Sequence, residues 1–299
     1  METRRALLVD AFATEPLSGN AAGVLPEAEG LSADQMRAVA RELAVSETAF
    51  VLPADTADRR LRYFSPTQEV DLCGHATIAA HAHLREAGAI DAGEYTVETN
   101  AGVLEVTVES DGAVWMTQGA PSVRRVDVGY DRVGDALGID PAALRDVGAD
   151  APVAVASTGL PFLVVPVNFL ENLGHADPDD SAVEALSEEY DVAGVYAVTF
   201  DALGADATLH ARAFAPAIGV SEDPVTGTAA GACGAYLREV GAFDEFPDEL
   251  VFEQGHFLDR PGRVRVDVGD AVRVGGRAVT SLDARMTVPP AEEDDIVEA

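Results

Sequence analysis

"RYFSPTQEVDLCGHATIAAHAHLREAGAI", Arg62 to Ile90, returns later in the chain as "RAFAPAIGVSEDPVTGTAAGACGAYLREVGAF", Arg212 to Phe243. Arg62, Phe64 and Pro66 match Arg212, Phe214 and Pro216 at an offset of 150. Gly74, Ala76, Ala79, Ala82, Leu84, Arg85, Glu86, Gly88 and Ala89 match their counterparts at an offset of 153, so the second copy has a loop longer by three residues. Self-similarity of this kind means that one supersecondary unit is used twice. Each copy reads as an extended R-x-F-x-P segment, a polar loop, a glycine, and a helix that stops at Gly88 or Gly241, residues suited to the left-handed position after a helix. Alanines three apart make one helix face nearly flat, so strands can approach closely, and alanine on several sides predicts an enclosed helix.

Short alternating strands flank the two helices, as in "YTVETNAGVLEVTVESDGAVWMTQ" (Tyr95 to Gln118) and "GRVRVDVGDAVRVGGRAV" (Gly262 to Val279), with glycine-rich turns of hairpin type. The expected fold class is α+β: two pseudo-symmetric halves, each a curved, mostly antiparallel sheet wrapped around a central helix. The stretch from about Val126 to Val155 carries helix-capping signals and breaks the strand pattern, which marks a junction or a peripheral helix. The closing "PPAEEDDIVEA" reads as a loose acidic tail.

A chain of 299 residues with 47% hydrophobic content buries one large core or two ordinary ones. No stretch approaches the roughly 20 apolar residues of a membrane span, which places the protein in the cytosol. Cys73 and Cys233 are expected as free thiols in a reducing compartment. The formal charge of −32 sits on a folded surface, because the apolar content is too high for disorder. All 20 basic residues are arginine. An acidic coat without lysine suits a salt-rich cytosol, where screening removes self-repulsion. The absence of lysine excludes Schiff-base chemistry and a Walker-type phosphate loop. No basic stripe is present to bind nucleic acid.

Two helices opened by Gly74 and Gly227, if the halves pack about a pseudo-twofold axis, face one cleft with unpaired N–H groups and the positive ends of their dipoles. Such a cleft suits a carboxylate. In "VSETAFVL" the strand neighbours of Glu47 on its own face are Val45 and Ala49, whose desolvating effect would raise the pKa of the carboxylate and fit it to take and return a proton. The same residue also reads as an edge-strand glutamate pointing into water. Asp223 and His75, in the segments leading into the two helices, read equally as proton-handling groups or as N-caps. A metal centre is not expected: His81 and His83, two apart on a helix, point about 200° from each other, and neither is spaced to join His75. Cys73 could be a thiolate acid/base at a helix start. Its repeat counterpart is Thr226, so a symmetric two-thiol mechanism lacks its second half.

The set "DAFATEPLSGNAAGVL" (Asp10 to Leu25), "SETAFVL" (Ser46 to Leu52), "RYFSPTQEVDLCGHATIAAH" (Arg62 to His81), "SEDPVTGTA" (Ser221 to Ala229) and "QGHFLDRPGRVRV" (Gln254 to Val266) resembles the PhzF family of phenazine-biosynthesis-like isomerases. The resemblance spans nearly the whole chain and keeps the family's motif order. It implies a diaminopimelate-epimerase-like fold, with residues 1–118 plus 280–299 in one half, residues 119–279 in the other, and a site in the cleft between them. It also implies a homodimer without metal or organic cofactor.

By the same resemblance Glu47 carries the proton, His75 and Asp223 are site residues, and Gly74, Gly227 and Thr228 hold the substrate's carboxylate. Asn20, Ser46 and Cys73 lie inside the matching motifs and are taken as further substrate contacts. The chain departs from the family at Ala21, Thr228 and Asp259, where proline, serine and glycine are frequent; these departures bear on substrate fit. The expected activity is a cofactor-independent isomerisation that moves a proton between carbons of a small carboxylate-bearing substrate. The alternatives are a non-catalytic binding protein on the same fold and an epimerase that uses Cys73.

Overall fold

The computed structural model describes residues 2–147 and 151–290; the acidic tail beyond Pro290 lies outside the described residues. The chain forms two compact units. The first comprises Met1–Ala11, Ala21–Val114 and Ala278–Ala299, and the second Phe12–Asn20 and Trp115–Arg277.

In the first unit, strand Glu2–Ala11 runs antiparallel to Ala278–Val288, from Glu2 opposite Val288 to Ala11 opposite Ala278, with a bulge at Leu8/Val9. Strand Asn20–Leu25 pairs parallel with Thr48–Leu52, which runs antiparallel to Arg59–Phe64. The stretch expected as a hairpin is one, Gly93–Thr99 against Gly102–Val108. Helix Ala33–Leu43 begins with a Ser32–Gln35 capping box and lays Met36, Val39 and Ala40 into a cluster with Phe50 and Phe64. The central helix, Gly74–Glu86, packs against strands Glu2–Ala11, Ala278–Val288 and Thr48–Leu52. Every residue from Ala76 to Leu84 is buried, as the alanine spacing requires.

In the second unit, Pro161–Pro166 pairs antiparallel with Ala154–Ser157 and parallel with Gly194–Thr199. Leu209–Ala215 then pairs antiparallel with Gly194–Thr199 and parallel with Leu250–Gln254. The strands Gly262–Val268 and Val272–Gly276 form the expected hairpin. Helix Gly227–Val240 is buried continuously from Ala229 to Leu237. It lies so close to the strands that a Cβ on Gly231 would come within 2.8 Å of Val274, and one on Gly234 within 2.9 Å of Val266. The region read as a junction holds two short helices, Tyr130–Leu137 and Pro141–Arg145, whose Val133, Leu137 and Leu144 join Val165, Leu186 and Phe214 in an apolar cluster.

The repeat has a polar part that alanine and glycine matching does not bring out. Arg62 donates through Nε and Nη2 to the two carboxylate oxygens of Glu69, at 2.7 and 2.8 Å, and Arg212 does the same to Glu222, at 2.8 and 2.7 Å. Each guanidinium also lies over the phenylalanine two residues on, 5.1 Å from the Phe64 ring and 4.9 Å from the Phe214 ring. The second clamp is the deeper one. Side-chain exposure is 8% for Arg212 and 14% for Glu222, against 20% and 28% in the first pair. Arg212 Nη1 donates further to the carbonyls of Leu173 and Ala176.

Removing one member of a buried ion pair leaves the other charge uncompensated. Glu222→Gln is therefore expected to cost about 3–5 kcal/mol, and Glu69→Gln, at a more exposed pair, about 1 kcal/mol or less. Urea unfolding midpoints check this, and equal losses in the two variants would contradict the ranking.

His81 makes stability depend on pH. Its Nδ1 lies 2.8 Å from the Thr77 carbonyl and donates to it, while Nε2 is buried with no acceptor. A second proton has no partner there, and burial pushes the pKa from the usual 6.5 down to about 4. The unfolded chain therefore binds more protons than the folded one between these values, so stability is full above about pH 6.5 and falls as pH drops toward about 4. His81→Gln is expected to flatten part of that slope; an unchanged slope in urea titrations at pH 7 and pH 5 would exclude His81 as its source.

Candidate active site

Glu47 stands at the end of a short connection. Helix Ala33–Leu43 closes on Ala44 in the left-handed region, and strand Thr48–Leu52 begins right after Glu47. The Glu47 carbonyl accepts from the Gly23 amide at 3.0 Å, which fixes the backbone beside the neighbouring strand. Gly23 has to be glycine here, because a Cβ would lie 2.9 Å from the Leu43 side chain and closer still to Thr48.

Cys73 precedes the central helix as its N-cap residue, and His75 is the helix's second residue. Tyr63, fully buried in strand Arg59–Phe64, hydrogen-bonds at 2.7 Å to Thr77, whose hydroxyl donates to the Cys73 carbonyl at 2.7 Å. These two residues were not singled out in the sequence; they fix the first turn of the helix from inside. Burial raises the Tyr63 phenol well above its usual pKa, so it remains a hydrogen-bond donor.

Glu47, Cys73 and His75 converge. Glu47 Oε2 lies 3.5 Å from His75 Nε2 and 3.8 Å from Cys73 Sγ, and Cys73 Sγ lies 3.5 Å from His75 Nδ1. Ser46 Oγ is 3.4 Å from His75 Nε2. Glu47 is thus neither set among Val45 and Ala49 alone nor fully in water: a quarter of its side chain is exposed, and its polar neighbours come from the helix start. His75 is inside the helix and is no N-cap. Cys73 makes no side-chain cap bond, so the first-turn amides, including that of Gly74, receive no cap from their own N-cap residue.

Asp223 and Asn20 meet in the second unit. Asn20 Nδ2 donates to Asp223 Oδ1 and to the Val225 carbonyl, both at 2.9 Å, and Thr226 Oγ1 donates to Asp223 Oδ2 at 2.5 Å. Gln254, which carries no signal of its own in the sequence, donates to the Asp223 carbonyl and to Thr226 Oγ1 and accepts from the Thr226 amide. The N-cap residue of the following helix is Thr226, so Asp223 stands three positions before the cap. Arg260 anchors the loop carrying Asn20 by donating to the carbonyls of Ser18 and Gly19.

Thr226 is the N-cap residue of helix Gly227–Val240 without a side-chain cap bond, and Thr228 lies in its first turn. Gly227 is the tight counterpart of Gly74: a Cβ there would lie 2.8 Å from the Phe12 ring, whereas one on Gly74 meets nothing within 4 Å.

His81 and His83 are buried in the central helix and take no part in the Glu47 cluster. Neither Cys73 nor Cys233 forms a disulfide. A cavity of about 430 Å³ in the second unit, lined among others by Phe12, Glu253, His256 and Arg263, includes none of the residues expected at the site. Its Glu253 is committed to the amides of Leu203 and Gly204 and to Arg263. Among the described residues no helix is long and apolar enough to cross a membrane.

A family model described as phenazine biosynthesis-like protein matches residues 9–284. A relative from Bacillus subtilis (strain 168), named uncharacterized isomerase YfhB, is 34% identical over 291 residues, covering 94% of this chain and 98% of its own. The crystal structure of the Bacillus anthracis phenazine biosynthesis protein of the PhzF family superposes with a TM-score of 0.88 at 30% identity, over 96% of this chain and 100% of that one. A hydroxyproline epimerase from Agrobacterium vitis, at 19% identity and a TM-score of 0.59 over 96% of this chain and 91% of its own, shares the fold. The model match and these relatives make the chain an isomerase of the PhzF family of phenazine biosynthesis-like proteins.

Proposed function

We propose that the protein is a cofactor-independent isomerase that moves a proton between two carbons of a small carboxylate-bearing substrate, with Glu47 as the proton carrier. The observation that supports this most is the Glu47 carboxylate 3.5 Å from His75 at the start of a helix whose N-cap side chain makes no cap bond. Glu47 takes the proton from one carbon, and the electron pair left behind spreads into the unsaturated part of the substrate. The amides of the first helical turn and the His75 ring stabilise the charge that develops. Glu47 then returns the proton to another carbon on the same face, so one base suffices. Ser46 keeps the His75 ring oriented from its 3.4 Å position.

In the second unit, Asn20, Gly227 and Thr228 are substrate contacts, and Asp223, oriented by Asn20 and Thr226, steers the substrate and shares its protons. The chain's resemblance to its family supports a homodimer, and its acidic, lysine-free composition supports a salt-rich cytosol. Glu47→Gln is expected to lower kcat by about 10²–10⁴-fold with the thermal unfolding profile retained. In ²H₂O the wild-type product gains deuterium at the shifted carbon. A Glu47→Gln variant with wild-type turnover would overturn the assignment.

A second reading has one observation in its favour: Cys73 Sγ touches both Glu47 and His75, at 3.8 and 3.5 Å. An epimerase using this thiol needs a group on the opposite face of the carbon, and the repeat position holds Thr226 instead of a second cysteine. Cys73→Ala decides between them. The isomerase reading expects the variant to keep proton transfer through Glu47, and loss of isotope exchange in Cys73→Ala together with its retention in Glu47→Gln would move the role to the thiol.

A further inference from the structure

We propose that Glu47, Cys73 and His75 form a three-ligand site for a thiophilic divalent cation of the zinc class, whose binding holds Glu47 as a metal ligand and silences the proton transfer.

The argument is geometric. Zinc bonds of about 2.3 Å to sulfur, about 2.0–2.1 Å to imidazole nitrogen and about 2.0–2.2 Å to oxygen, set at the tetrahedral angle, hold the donor atoms about 3.4–3.6 Å apart. Here Cys73 Sγ lies 3.8 Å from His75 Nε2 and 3.8 Å from Glu47 Oε2, and His75 Nε2 lies 3.5 Å from Glu47 Oε2. This triangle comes within a few tenths of an ångström of one face of a zinc coordination shell. Among the described residues no other group of three or more such side chains gathers its donor atoms this tightly.

The triangle is also preformed. The Gly23 amide fixes the Glu47 backbone, and the Tyr63–Thr77 pair fixes that of Cys73. All three ligands belong to the first unit. Sulfur and imidazole beside one carboxylate favour zinc or cobalt over magnesium or calcium, which prefer oxygen alone. Three protein ligands leave a fourth position for water or a substrate carboxylate.

Binding balances simply. The cation replaces the Cys73 thiol proton, which passes to solvent; His75 binds through the Nε2 lone pair with its proton on Nδ1; and Glu47 binds as carboxylate. No redox change occurs. The binding claim stands on geometry alone, and only the silencing rests on the role proposed for Glu47.

The test uses the full chain, stripped with a chelator and titrated with Zn²⁺ against a chromogenic competitor in excess Mg²⁺, which occupies the abundant surface carboxylates. Co²⁺ serves as the spectroscopic probe. The expected result is one equivalent of Zn²⁺ bound, close to one proton released, and a thiolate-to-cobalt charge-transfer band. Cys73→Ser, which keeps a good N-cap residue, is expected to lose the band and to weaken Zn²⁺ binding by ~100-fold or more, since even outer partners of a metal site are worth about 10–100-fold. His75→Gln is expected to weaken it comparably with the thermal unfolding profile kept. Zn²⁺ affinity and stoichiometry unchanged in both variants, or a cobalt complex without the thiolate band, would overturn the site. Turnover is read separately. Zinc binding with undiminished Glu47→Gln activity upholds the metal site and removes Glu47 as the base, whereas an inactive Glu47→Gln in a protein that binds no Zn²⁺ does the reverse.

Discussion

In each unit an arginine on a strand reaches across the following loop and grips a glutamate with two parallel hydrogen bonds, Arg62 to Glu69 and Arg212 to Glu222. The approach to each central helix depends on this clamp. Glu69 lies four residues before Cys73, and Glu222 is the immediate neighbour of Asp223. A loop free to wander would place neither the thiol nor the carboxylate, because side chains at helix starts inherit their position from the backbone that delivers them. The planar guanidinium suits this task better than an ammonium would, since its fork fixes direction as well as distance. The adjoining phenylalanine ring fixes the plane of the fork.

Most of the architecture was legible in small residues. Alanine and glycine matching exposed the duplication and predicted two enclosed helices, and both are buried along most of their length. The clamp escaped that reading although Glu69 and Glu222 stand at the same offset of 153, because a pair interaction leaves no periodic trace. The cluster of Glu47, Cys73 and His75 was legible only as separate motifs. Their meeting brings Glu47 to residues 26 and 28 positions away, and a strand-face argument looks two residues either way. His75 and Asp223 could not be told from caps by spacing; geometry separates them, since the N-cap residues of the two helices are Cys73 and Thr226. Tyr63, Thr77 and Gln254 went unnoticed for the same reason as the clamp: each acts through a single pair contact, Tyr63 on the Thr77 hydroxyl, Thr77 on the Cys73 carbonyl and Gln254 on the Asp223 carbonyl.

The two helix starts share a backbone and differ in chemistry. In the first unit the residue before the opening glycine is a thiol in contact with Glu47 and His75. In the second it is Thr226, whose hydroxyl is spent on Asp223. The glycines differ as well, since space around Gly74 is open while Gly227 is wedged against Phe12. The duplication thus supplied two equivalent frames, and different side chains gave one frame a titratable cluster and the other an oriented carboxylate.

The pairing of Glu2–Ala11 with Ala278–Val288 joins two strands far apart in the sequence. During synthesis the whole second unit, up to Arg277, has left the ribosome before the first unit receives its last strand. The first unit therefore cannot be completed before the second has been synthesised. Until that strand is made, the edge of Glu2–Ala11 that it covers has no partner from it, and charges such as those of Arg4 and Arg5 disfavour pairing of a strand edge with another chain. Assembly of the Glu47 unit is consequently completed only after strand Ala278–Val288 has been made.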